Sequence, residues 1–151
     1  MHEPLKHPVS TAGYLASMSR AALQAGISWK VMESKWPGIE KAFSGFDPGK
    51  VAKFSGEDID RLMQDHEVIR NRAKIEGIIL NARRMQELIN EYGSFEAYLK
   101  SLGGFRGQLK GLHRDFKFMG ESTAYWFLWH VGEKVPGWQE WEKSRAAKSR
   151  K

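Results

Sequence analysis

The 151-residue sequence contains no cysteine. Disulfides, thiol nucleophiles and thiolate zinc sites are therefore excluded, and five scattered histidines do not replace such a site. No apolar run reaches the length of a membrane-spanning helix, and the opening "MHEPLKHPVS" lacks the apolar core of a signal peptide. A cytoplasmic protein without membrane contact is expected. Alternating strand patterns are almost absent, and neither an internal repeat nor a low-complexity segment is found.

What is present is an ordinary globular composition, 41 % hydrophobic and 28 % charged, at a length that suits one core. Net charge is +6, and it is unevenly spread: residues 105–151 carry ten Lys/Arg against five Asp/Glu, residues 1–104 fourteen against thirteen. A basic last third suggests a polyanionic partner, although solubility accounts for a net charge of this size equally well.

Helix signals recur at short intervals. Thr11 stands at a cap position before Tyr14, Leu15, Met18, Ala22 and Leu23, which share one helical face, and Gly26 is a stop. Ser28 caps "WKVMES", expected to end before Pro37. Asp47 precedes Pro48 at a first turn, and "SGED" at 55–58 has capping-box spacing. The longest stripe runs Ile75, Ile78, Ile79, Ala82, Met85, Leu88 and Ile89, ended by Gly93, and Ser94 caps a short helix after it. "RGQLKGLHRDF", a break at "KFMGES" and "STAYWFLWHVG" read as helix, hairpin, helix. The expectation is an all-α single domain of many short helices over residues 1–137, with a basic tail at 138–151 that frays.

Two stretches stand out. At the hairpin, Gly120 sits at the tip and Ser122 and Thr123 open the second helix, with Lys117 nearby. Unpaired N–H groups and a positive dipole at a helix start make a phosphate site indifferent to base sequence; a plain helix–helix corner needs the same glycine and cap. The other is "QAGISW" at 24–29, where a break between helices carries an apolar side chain and an indole instead of polar residues.

The ordered set "QAGISW", "AFSGFDPGKVA", "EVIRNRAKI", "NAR" and "FKFMG", collinear from about Gln24 to about Gly132, resembles the DNA-3-methyladenine glycosylase I family of helix-hairpin-helix glycosylases. The resemblance implies an enzyme that flips a damaged base out of double-stranded DNA and hydrolyses its N-glycosidic bond, without a cofactor and as a monomer. It casts Ile27, on the bend at Gly26, as the wedge that fills the gap, and Trp29 as the ring that stacks on the extruded base, with Gln24 and Tyr14 beside it. Lys117, Met119, Gly120, Ser122 and Thr123 would hold phosphates, joined by Arg70, Arg72 and Lys74 at the start of the longest helix. Buried core positions account for Ile27 and Trp29 as well, and helix-start solvation accounts for the basic trio.

The chain departs from the family at two points. The zinc ligands of its best-known members are missing, so no metal is expected, and the base-recognising glutamate aligns with Ala21. Glu140 lies about twenty residues after Gly120, where many hairpin glycosylases place an aspartate; a tail turning Trp138 and Trp141 inward explains the same residues. His130 reads as an ordinary half-buried histidine. No lysine stands out as a Schiff-base nucleophile, so cleavage without strand scission is expected. A non-catalytic helix-hairpin-helix DNA-binding protein that lost the pocket is the alternative.

Overall fold

Ser10, not Thr11, starts the first helix. Its hydroxyl accepts a hydrogen bond from the Gly13 N–H at 2.9 Å, which makes Thr11 the first helical residue. The computed structural model describes residues 9–149, and these form nine α-helices, one 3₁₀ turn and no strand. In chain order they are α1 (Thr11–Gln24), α2 (Trp29–Ala42), the 3₁₀ turn Ser44–Phe46, α3 (Pro48–Val51), α4 (Gly56–Gln64) and α5 (Arg72–Tyr92). α6 (Phe95–Ser101), α7 (Phe105–Asp115), α8 (Glu121–His130) and α9 (Trp138–Ser149) follow. The all-α expectation holds, and among the described residues no helix is long and apolar enough to cross a membrane.

Local signals place most helix starts. Asp47 accepts hydrogen bonds from the N–H groups of Gly49 and Lys50 while Pro48 takes the first turn. Asp58 reaches back to the Ser55 N–H at 2.8 Å. Two expectations are corrected. α2 does not stop before Pro37 but runs through it. Proline removes one backbone donor, yet Pro37 sits on the exposed side, while Met32 and Ile39, two turns apart, are fully buried. Burying two large apolar side chains, at about 1.5–3 kcal/mol each, keeps the helix going. The tail, expected to fray, is helix over Trp138–Ser149. Trp141 stacks on Tyr125 at 4.8 Å and meets Phe105 edge-on at 5.7 Å, while Trp138 stacks on Trp126 at 4.7 Å.

α5 is the central element and packs against α1, α3, α4 and α6. Ile75, Ile78, Ile79, Ala82, Met85 and Leu88 of its apolar stripe are buried, and Ile89 is partly so. Its other task is to hold the turn at 116–120 between α7 and α8. Asn81, buried on α5, clamps the backbone of Lys117 from both sides: its carbonyl oxygen accepts the Lys117 N–H at 2.7 Å, and its amide donates to the Lys117 carbonyl at 3.0 Å. Beside it Phe118 is held at φ +59 with its ring against Gly77, where any Cβ would come within 2.5 Å of a ring carbon. A positive φ at a bulky residue is unfavourable by about 1–3 kcal/mol and persists only where the surroundings determine it. The clamp on one side and the buried Met119 on the other do so.

Asp115, at the end of α7, ties the turn to α5 and α6. It accepts hydrogen bonds from Tyr98 at 2.6 Å, Arg84 at 3.0 Å and Arg114 at 2.9 Å. Burial pushes its carboxyl up, but bonds from Arg114, Tyr98 and Arg84 more than offset that and hold its pKa at about 2, below the ordinary 3.8.

Two outcomes are expected. Asn81→Ala, which removes both hydrogen bonds to the Lys117 backbone, should lower stability by about 2 kcal/mol in urea unfolding. Because the folded pKa of Asp115 lies below its unfolded one, its contribution is complete above about pH 4 and is lost as pH falls toward 2. Asp115→Asn should therefore be less stable at neutral pH and lose less further stability between pH 4 and pH 2 than wild type, measured by urea midpoints across that range.

Candidate functional site

α1 and α8 pack together, but a cavity of about 320 Å³ remains between them, at the small end of ligand pockets. α1 contributes Ser17, Arg20, Ala21 and Gln24, which follow one another at helical spacing on a single face. From α8 come Ser122, Trp126 and His130, each one turn after the last, together with Thr123. Small side chains at Ser17, Ala21 and Ala25 keep the helices from filling the space, and Trp29, at the first position of α2, completes the lining. Among the described residues no acidic side chain lines the cavity.

The bend carrying Trp29 is built by its own residues. Gly26 takes φ +80, with nothing within 4 Å of the position a Cβ would occupy. The Ile27 N–H donates to the Gln24 carbonyl at 2.9 Å, and the Gln24 side-chain amide returns a bond to the Ile27 carbonyl at 2.6 Å. Ser28 caps α2 by accepting the Val31 N–H at 3.2 Å. Ile27 is half-buried against the core and Trp29 half-buried at the cavity. A cation stands on the indole: the Arg20 guanidinium lies 4.9 Å from the Trp29 ring centre and 5.1 Å from that of Trp36, and it pairs with Glu33.

Opposite, Trp126 is backed by Trp138 of α9. His130 donates from Nδ1 to the Trp126 carbonyl at 3.0 Å, which fixes the hydrogen on that nitrogen.

The structure brings Trp29, Gln24, Ser122 and Thr123 together in one cavity, with Gly26 and Ile27 at its edge. Lys74 also arrives there. Its ammonium lies 3.5 Å from the Ala25 carbonyl, and burial pulls its pKa below the ordinary lysine value. Other candidates lie elsewhere. Tyr14 is a core residue, 4.9 Å from the Phe95 ring and outside the cavity lining, and burial, then Glu96 and Glu133, push its hydroxyl up to about 12. The Met119 side chain is buried, which leaves only its backbone for a ligand. Lys117 and Gly120 are exposed on the turn, and the Ser122 hydroxyl accepts a hydrogen bond from Arg145 of α9 at 3.1 Å. Arg70 is exposed, while Arg72 pairs with Asp60 at 3.2 Å and Glu76 at 3.7 Å. Glu140 lines a separate groove between α7 and α9 and not the cavity of Trp29.

Sequence reasoning missed Ser17, Arg20, Ala25 and Trp126, and left His130 out of the site. The spacing Ser122, Trp126, His130 was the available signal, since it places all three on one face of α8.

Among the described residues no group of three or more His, Asp or Glu gathers as metal ligands do. With no cysteine in the chain, the residues present do not fit the zinc site of the family's best-known members.

An all-α domain with an indole-lined cavity opening beside a helix–turn–helix unit is the class these elements define. Comparison narrows it. The chain belongs to the methyladenine glycosylase family, whose model matches residues 13–113. It is 31 % identical over 130 residues to the DNA-3-methyladenine glycosylase of Haemophilus influenzae, across 72 % of this chain and 70 % of that protein. Against DNA-3-methyladenine glycosylase 1 of Escherichia coli, identity is 32 % over 130 residues with the same two coverages. Among solved structures, 3-methyladenine DNA glycosylase I of Staphylococcus aureus superposes with a TM-score of 0.75 at 28 % identity, over 86 % of this chain and 79 % of that one.

The geometry of the bend yields one expectation. Gly26→Ala meets no steric obstacle, so its cost is conformational, about 1 kcal/mol in urea unfolding. The variant should fold and shift the near-ultraviolet circular dichroism of Trp29.

Proposed function

We propose that this protein is a monofunctional DNA glycosylase that excises alkylated purines of the 3-methyladenine type from double-stranded DNA, acting as a monomer in the cytoplasm and on the nucleoid. The observation that carries the reading is that Trp29, on the bend, and Ser122 and Thr123, at the start of α8, line one cavity. A base held there stays joined to a backbone whose phosphates reach the hairpin. The family membership and the two curated relatives support the same reaction.

In this mechanism the backbone N–H groups around Gly120 and the first turn of α8 hold phosphates, and Lys117 and Lys74 add charge on either side of the entrance. Ile27 fills the stack vacated by the flipped nucleotide, and its carbonyl, held by Gln24, keeps the bend rigid. The extruded base lies against Trp29 and Trp126, where aromatic stacking replaces what it lost in the duplex. The C1′–N bond then breaks heterolytically: its electron pair leaves with the base, and water adds to C1′ and gives up a proton. Exclusion of bulk water and fixed orientation supply most of the acceleration. No carboxylate is assigned to catalysis, since none of the described residues lining the cavity carries one.

Ala21 at the family's glutamate position favours a second reading, a non-catalytic DNA-binding protein. Base release from alkylated duplex DNA separates the two. Wild type should liberate free methylated purine, and Trp29→Ala should lose at least tenfold in single-turnover rate, about 1.4 kcal/mol of barrier. Tight binding to abasic duplex with no release from any alkylated substrate would decide for the second reading.

A further inference from the structure

Taking the glycosylase reading as its basis, we infer that Trp138 is a positioning residue for base stacking. From α9 it holds the Trp126 indole in the orientation that meets the extruded base. Trp126 lines the cavity from α8, and its neighbours there, Tyr125 and Trp129, meet it edge-on at 4.9 Å and 5.9 Å. Among the described residues only Trp138 lies along its face, 4.7 Å away at an interplanar angle of 28°. One indole face is therefore covered by α9, and the other is left to the cavity. A half-buried aromatic side chain on a helix has more than one staggered orientation open to it, and not all of them present that face. A stacked ring pair favours its own geometry by about two- to tenfold in population, so removing the backing ring returns the choice to Trp126.

Trp138 is itself firmly placed. It is the first residue of α9, and its ring meets Tyr125 edge-on at 5.0 Å. Just before it, the Pro136 carbonyl accepts a hydrogen bond from the Tyr125 hydroxyl at 2.5 Å, and one turn later Trp141 stacks on the same tyrosine. Toward the other end of α9, Arg145 reaches Glu121 and Ser122 at the start of α8. Among the described residues no α9 side chain lines the cavity, so Trp138 acts on a base only through Trp126. Orientation matters for the substrate proposed above. A purine methylated at a ring nitrogen carries positive charge in DNA, and an indole attracts a cation to its face, not to its edge.

The test uses full-length protein on methylated duplex DNA, with 3-methyladenine release followed in single turnover at saturating protein. Trp138→Leu keeps an apolar side chain but no flat ring. It should lose at least threefold in that rate, while affinity for an abasic duplex changes less than twofold. Trp138→Phe restores a ring and should stay within twofold of wild type. In a Trp126→Leu background, adding Trp138→Leu should cause no further loss. Trp138→Met, also ringless, takes the place of Trp138→Leu if circular dichroism shows that variant poorly folded. Four results each overturn the assignment and leave the glycosylase reading intact: an unchanged ringless variant, a Phe variant no better than it, a loss confined to abasic-duplex binding, or a full further loss in the Trp126→Leu background. No release by wild type overturns the glycosylase reading and this inference with it.

Discussion

One carboxamide holds the architecture of the site together. Asn81 sits on α5, the helix with the largest share of the core, and clamps both backbone groups of Lys117 in the turn between α7 and α8. The turn contains a bulky residue at positive φ, so it is not the conformation these residues choose alone. Asn81 and Asp115 transfer the rigidity of the core to it, since the several hydrogen bonds they make together offset the strain of one residue. The direction of α8 follows from the turn, and the cavity is the space that direction leaves against α1. A buried polar group thus fixes, at a distance, where Trp126 and His130 stand.

The elements legible from the sequence were those set by neighbours in the chain. Asp47 with Pro48, Ser55 with Asp58, and the isoleucine-rich stripe of α5 involve residues within a turn or two of one another, and they appear as read. Pro37 and the tail were misread because distant burial decides them. Met32 and Ile39 hold α2 together across a missing donor, and Trp138 and Trp141 hold α9 against rings on α7 and α8. The expectation for both had weighed only local propensity.

The site divides along the same line. The bend at Gly26 and the indole after it were legible because a glycine, an aliphatic residue and a cap are contiguous there. Which α8 residues face the bend depends on how two helices meet. Tyr14, close to Trp29 along the sequence, faces Phe95 instead and joins the core. Arg20, Trp29, Glu33 and Trp36 span four turns across two helices before forming one stack, which spacing along a single helix does not reveal.

Arg145 has a consequence for how the start of α8 meets an anion. From α9 it joins Glu121 at 3.1 Å and the Ser122 hydroxyl at 3.1 Å, while its guanidinium lies 4.5 Å from the Trp141 ring centre. A carboxylate of the protein thus already occupies the neighbourhood where a helix start attracts negative charge. On the proposed reading, docking of a nucleic-acid strand at that end would be a substitution, one oxyanion displacing another around a shared arginine, with a net driving force equal to the difference between two salt contacts.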